Sequence, residues 1–242
     1  MATRFPRASR SFLLVLSGAL ACGGDLLLPD PPGGGEVVLS KVNGDNQVGV
    51  VGEQLQDPLI VKVTTGRGQA AVGREVAFVF TDAAGVVTPS EAVTNSVGEA
   101  QATWRLGSEP GPQTVVAQLV VADTVEPQLQ EFTAQAGPGA PDTLSARSPT
   151  SQPGRRDEEV GTQPVVQVVD RFGNPVPEVS VSWQVTAGGG EVSEALTPTD
   201  ATGTATVKWT LGSRRGIQRL TASVGTGSVT GSPLAFTATV LF

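Results

Sequence analysis

The chain carries few side chains that can do chemistry. It has one cysteine, Cys22, and neither histidine nor tyrosine. Histidine is the commonest general base and the commonest metal ligand near neutral pH. Without it, and without paired cysteines, catalytic triads and zinc sites are excluded. Carboxylates remain. Asp157-Glu158-Glu159 is the densest acidic cluster. Calcium needs six to eight oxygens, and the cluster lacks the spacing of an EF-hand, so it reads as a solvated loop. Asp170, opening Asp-Arg-Phe-Gly-Asn-Pro175, reads as an Asx turn whose carboxylate accepts backbone N–H groups. Asp200, ahead of Ala-Thr-Gly203, reads the same way.

Other candidates are weaker. Gly188-Gly-Gly190 lacks the Lys-Ser/Thr and the following helix of a phosphate loop. Arg155-Arg156 and Arg214-Arg215 are short basic pairs within an acidic chain; solvated loops are the plainer reading, an acidic polysaccharide contact the other. Trp104, Trp183 and Trp209 alternate with Val and Leu, which favours core packing over a sugar-stacking platform. No spacing of carboxylates suggests a glycosidase. No catalytic, cofactor-binding or metal-binding residue is assigned. The net charge is −7 and the pI about 4.7, with no basic stripe, so nucleic-acid binding has no electrostatic support.

The positioning elements begin with the N-terminus. Residues 1–21 read as a signal peptide. Arg4, Arg7 and Arg10 precede the apolar run Phe12–Ala21. Ten residues span about 15 Å as a helix, half of a bilayer core, so a permanent membrane span is not expected. Ala19-Leu20-Ala21-Cys22-Gly23 resembles the lipobox of bacterial lipoproteins, although Ala19 stands where Leu is commonest. The resemblance implies lipidation at Cys22, which also accounts for a lone thiol in an exported chain. Gly23 after the cysteine, by resemblance to enterobacterial sorting, implies the outer membrane or cell surface. Cleavage would remove three of 16 basic residues and none of 23 acids, taking the charge from −7 to −10. Membrane attachment would then rest on the lipid chains alone. Residues 22–35, rich in Gly and Pro, read as a tether.

The remainder repeats itself. Shifted by 105 residues, Leu39–Ala117 lies on Leu144–Ala222 without a gap, with about 22 of 79 positions identical. Trp104-Arg-Leu-Gly-Ser108 falls on Trp209-Thr-Leu-Gly-Ser213. Gly68, Gly98, Gly111 and Gln113 fall on Gly173, Gly203, Gly216 and Gln218. Two domains follow, 36–136 and 142–242, joined by a Pro-containing linker at 137–141. In the second, Val166–Val168, Val179–Val185, Ala205–Leu211, Leu220–Val224 and Phe236–Val240 alternate with period two, the mark of strands with one buried face. Phe172–Pro175 and Ala187–Gly190 punctuate them as turns. No window has helical period. About seven strands in about 100 residues is the pattern of an immunoglobulin-like sandwich. The expected fold is all-β, two tandem sandwiches. With no cysteine in either copy, the cores are expected to rest on apolar burial alone, led by Trp104, Phe78, Trp183 and Trp209.

Asp170-Arg-Phe-Gly-Asn-Pro-Val176, Val179-Ser-Val-Ser-Trp183 and Thr199-Asp-Ala-Thr-Gly-Thr-Ala-Thr-Val207 resemble the bacterial Ig-like domain, group 1, the module of intimin- and invasin-type proteins. The first copy keeps Thr94-Asn-Ser-Val-Gly98 but has Gly66-Arg-Gly-Gln-Ala70 in place of the Asp-x-x-Gly-Asn-Pro turn. The resemblance implies a non-catalytic stalk or adhesive module, held to a membrane through its lipid and commonly monomeric. Its implied partner is a surface protein or polysaccharide. The other class of function consistent with the chain is a carbohydrate-binding or envelope-assembly accessory, which would need an exposed aromatic pair or an acidic ion site.

Overall fold

Branched residues at every second position put one row of side chains inward and leave the other in water. Leu59–Thr65 shows it: Leu59, Val61 and Val63 are fully buried, while Ile60 and Lys62 are half exposed. The computed structural model describes residues 37–80, 85–121, 127–225 and 228–241, and every regular element among them is a strand. The signal peptide, Cys22 and the tether assigned to 22–35 lie outside the described residues.

The first sandwich contains β1 (Val37–Asn43), β2 (Gln47–Val50), β3 (Leu59–Thr65), β4 (Glu75–Phe80), β5 (Val86–Thr88), β6 (Glu91–Val93), β7 (Glu99–Arg105), β8 (Gly111–Leu119) and β9 (Leu129–Gly137). One sheet has the order β1-β3-β7-β5 and the other β2-β9-β8-β4-β6. Its core runs from Leu39 to Ala136 and includes Trp104, Phe78 and Phe132.

The second repeats the plan with β10 (Thr143–Ala146), β11 (Ser151–Gly154), β12 (Val165–Val169), β13 (Ser180–Ala187), β14 (Gly190–Val192), β15 (Leu196–Pro198), β16 (Thr204–Thr206), β17 (Trp209–Leu211), β18 (Gly216–Val224) and β19 (Leu234–Val240). Its strands form the orders β10-β12-β16, β14-β17 and β11-β19-β18-β13-β15. Leu144 to Val240 build a separate core around Trp183, Trp209 and Phe236. The fold is two tandem immunoglobulin-like sandwiches.

Nine and ten strands replace the expected seven per copy. One cause is that the first strand of each copy changes sheets. After antiparallel β1 the chain crosses over, and β2 pairs in parallel with β9; β10 and β11 repeat this, β11 pairing in parallel with β19. The crossover caps an edge of both sheets, which limits unpaired backbone. The single strand expected over Ala205–Leu211 is also two. The Val207 amide donates to Pro164 O at 3.3 Å, whereas Ser193 N donates to Lys208 O at 2.9 Å. The backbone thus changes partners between those residues. Burial still alternates through Ala205, Val207, Trp209 and Leu211.

Apolar burial does not hold the cores alone, contrary to the expectation from the missing disulfide. Thr94, Gln113, Asp170, Thr199 and Gln218 are buried as well. Thr94 Oγ1 donates to Ala71 O at 2.6 Å and accepts from Arg74 N at 2.8 Å. Its repeat, Thr199, donates to Val176 O at 2.7 Å and accepts from Val179 N at 2.9 Å. Gly98 and Gly203 occupy the same place in each copy with φ of +80° and +71°, where a Cβ would stand 2.6 Å from Val63 O and 2.5 Å from Val168 O. Glycine is needed there for both conformation and space.

Candidate functional site

Trp104, Trp183 and Trp209 are closed to a sugar. Trp104 and Trp209 have no exposed surface and Trp183 only 2%. Trp183 Nε1 donates to Thr197 Oγ1 at 2.8 Å, and its ring lies 6.3 Å from Phe236 at 41°. Trp209 Nε1 is buried without a hydrogen-bond partner. Phe172 is the one exposed aromatic side chain among the described residues.

The acidic loop is solvated. Asp157, Glu158 and Glu159 are all exposed, with Asp157 at φ +61°. Its backbone bonds serve the sandwich: Leu211 N donates to Glu158 O at 2.9 Å. Glu159 Oε2 accepts from Gln163 Nε2 at 2.9 Å. Among the described residues no three His, Cys, Asp or Glu side chains are grouped to hold a metal ion. Arg155, Arg156, Arg214 and Arg215 are exposed. Gly188, Gly189 and Gly190 all take positive φ in the turn from β13 to β14, with no helix after them.

Asp200 caps its own turn. Its Oδ1 accepts from Thr202 Oγ1 at 2.7 Å, Thr202 N at 2.8 Å and Thr204 N at 3.0 Å, and its Oδ2 accepts from Thr204 Oγ1 at 2.9 Å. The Thr202 hydroxyl, followed by the Thr204 donors, holds the carboxyl far below the usual carboxylate range. Asn95 takes the equivalent place in the first copy and accepts from Val97 N and Glu99 N, each at 3.0 Å. A neutral amide does the same work, so the charge of Asp200 is not itself a site.

Asp170 is different, being only 2% exposed. The expected Asx turn is present: Oδ1 accepts from Phe172 N and Asn174 N, both at 2.9 Å. Oδ2 accepts from Gly139 N at 2.8 Å and from Asn174 Nδ2 at 3.0 Å. Burial pushes its pKa up, but the Asn174 side chain and the Gly139, Asn174 and Phe172 amides outweigh that and hold it low. Asn174 Nδ2 also donates to Ser108 O at 2.7 Å. A small cleft adjoins the turn, lined by Val50, Val51, Glu53, Gly139, Asp142 and Arg171. Sequence spacing alone marks Asp170 as a turn residue. Its contacts to Gly139 and, through Asn174, to Ser108 join segments whose proximity no local pattern announces.

Residues 159–237, running from the acidic loop into β19, match the family model of the bacterial Ig-like domain (group 1). That segment is similar to a module of this kind, as the turn motifs implied. The solved structure of FdeC, a broadly conserved Escherichia coli adhesin, shares the fold at 18% identity with a TM-score of 0.51, covering 84% of this chain and 63% of its own. The D0-D1 domain of intimin is similar at 20% identity and TM-score 0.31, covering 83% of this chain and 94% of its own. Invasin, a bacterial integrin-binding protein, is similar at 18% identity and TM-score 0.36, covering 85% of this chain and 39% of its own. No curated protein matches the sequence.

Proposed function

We propose that this protein is a non-catalytic surface lipoprotein in which two Ig-like modules form a structural or adhesive stalk. Acylation of Cys22 holds the chain in the outer membrane. Residues 22–35 give slack, and the modules at 36–136 and 142–242 project outward. Exposed loops and strand edges of the second module are the surface for a protein or polysaccharide partner. The observation that carries this reading is the match of residues 159–237 to the bacterial Ig-like family. The lipobox-like run ending at Cys22 supports the anchor. The descriptions of FdeC as an adhesin and of invasin as integrin-binding support the adhesive side of the reading. The burial of all three tryptophans speaks against the carbohydrate-platform alternative.

The test is the intact mass and membrane partitioning of the native protein beside Cys22→Ala. A diacyl or triacyl mass gain, with partitioning into membranes, is expected and should vanish in the variant. A soluble, unmodified native protein would overturn the anchored stalk.

A further inference from the structure

We propose that the Asp170–Asn174 turn is a docking joint that locks the second module onto the first, and that the matching turn of the first copy is unable to receive a module in this way. In the first copy, Thr65-Gly66-Arg67-Gly68-Gln69 forms the same turn: Gly68 N donates to Thr65 O at 2.8 Å and Thr65 N to Gln69 O at 2.8 Å. In the second copy, Gly173 N donates to Asp170 O at 3.0 Å and Asp170 N to Asn174 O at 2.9 Å. Gly68 and Gly173 have φ of +77° and +87°. The backbone closes equally well with Thr and Gln as with Asp and Asn. The turn therefore does not require a carboxylate at 170 or an amide side chain at 174.

Asp170 Oδ1 and the Asn174 Nδ2–Asp170 Oδ2 bond serve the turn itself, and the same two side chains also reach outside it. Asp170 Oδ2 takes the amide of linker residue Gly139, and Asn174 Nδ2 takes the carbonyl of Ser108, beyond β7 of the first module. The Phe172 ring lies over Gly52, between β2 and β3 of the first module, where a Cβ would stand 2.5 Å from Cζ. Gly52 is itself held by its own module: its amide donates to Gly107 O at 2.9 Å and its carbonyl accepts from Arg105 Nε at 2.8 Å. Arg171 stacks on Phe172 at 4.6 Å. Three separate segments of chain, the linker and two loops of the first module, thus meet one turn of the second.

The linker has little freedom left. Gly137, which the sequence places in the linker, is the last residue of β9, and Val51 N donates to its carbonyl at 3.0 Å, so the linker leaves a fixed strand end. Asp142 N donates to Val169 O at 2.9 Å, tying its end to the second. Asp170 holds Gly139 between them, and Pro138 and Pro141 have fixed φ. Relative motion of neighbouring domains is the default expectation, and these contacts act against it. The two repeats are consequently not interchangeable in order: only the second has the side chains that grip a preceding module. This holds wherever the chain is anchored.

The test is a distance distribution by double electron–electron resonance on the full chain carrying Cys22→Ser, with spin labels at Val93→Cys and Ile217→Cys. Both positions are exposed, one on each module. The parent should give one narrow distribution. Phe172→Ala and Asn174→Ala, which touch neither core, should clearly broaden it, since relative motion is the default for two domains without a firm joint. Amide spectra of both modules should stay unchanged. Asp170→Ala should broaden it further. A parent distribution as broad as the variants, unchanged widths in Phe172→Ala and Asn174→Ala, or broadening that accompanies unfolding of the second module would each overturn the joint.

Discussion

Gln218 folds its side-chain amide back onto Gly212: Oε1 accepts the Gly212 amide at 2.7 Å, and Nε2 donates to the Gly212 carbonyl at 2.9 Å. Nε2 also donates to Arg214 O at 2.9 Å. Gln218 has no exposed surface. One side chain thus satisfies the tight bend between β17 and β18, where no sheet partner is available. Gln113 does the same for the first module, accepting from Gly107 N at 2.8 Å and donating to Glu109 O at 2.9 Å.

Replacing Gln218 with Leu keeps the volume but strands these backbone groups. A buried donor or acceptor left unpaired costs about 1–3 kcal/mol each, so with the Gly212 amide and carbonyl both stranded a loss of about 2–6 kcal/mol is expected in urea unfolding of the second module. Hydrogen exchange at the Gly212 amide should speed up with it. A neutral Gln218→Leu would mean that solvent reaches the bend.

Trp209→Ala should cost about 3–5 kcal/mol, the usual range for emptying a buried aromatic site. The residue is wholly enclosed between Leu211, Val207 and their neighbours in the second core. A domain of this size has only about 5–15 kcal/mol in total, so the second module should approach unfolding while the first stays intact. Chemical denaturation followed by Trp104 and Trp183 fluorescence separates the two. A loss below about 1 kcal/mol would contradict full burial.

Gly203→Ala should destabilise by more than the roughly 1 kcal/mol expected for forcing a side chain into the left-handed region. The new Cβ would also meet Val168 O at 2.5 Å and Val176 N at 3.0 Å, both backbone atoms. Gly173→Ala is the control, with φ +87° but open space around the Cβ. Thermal unfolding of the pair should rank Gly203→Ala clearly below Gly173→Ala.

Acid should weaken the second module partly through Asp170. Its pKa is depressed in the folded chain, so its hydrogen bonds contribute fully above the ordinary value of 3.8 and are lost as pH falls through the lower folded value. Asp200, in the same module, and Asp45, in the first, are depressed too. Asp170→Asn should therefore flatten the fall in stability below pH about 3.8 without abolishing it. Urea titrations at a series of acid pH values would show this. An unchanged slope would mean that the Asp170 carboxylate is not held as drawn.

Much of the fold could be read residue by residue. Alternation in Val179–Val185 and Phe236–Val240 marks β13 and β19, because a pleated strand sorts side chains one at a time. The 105-residue repeat and the glycines at 68, 98, 173 and 203 mark equivalent turns, because left-handed φ is a local demand. The crossovers from β1 to β2 and from β10 to β11 were not legible. Neither was the change of partner at Val207–Lys208, since alternation continues through it while the hydrogen bonds change sheets.

The sequence by itself determined the β class, the two copies, the buried tryptophans and the absence of histidine and paired-cysteine chemistry, all of which follow from residue type and short spacing. Tertiary structure alone decided what the buried polar groups are for. Thr199 and Gln218 look like surface residues until the backbone they satisfy folds against them. Asp170 looks like a turn residue until Gly139, 31 positions earlier, brings its amide to Oδ2, and Asn174 reaches Ser108 across 66 positions. A hydrogen bond of that reach leaves no period in the chain, because its two ends meet only after both sandwiches have closed.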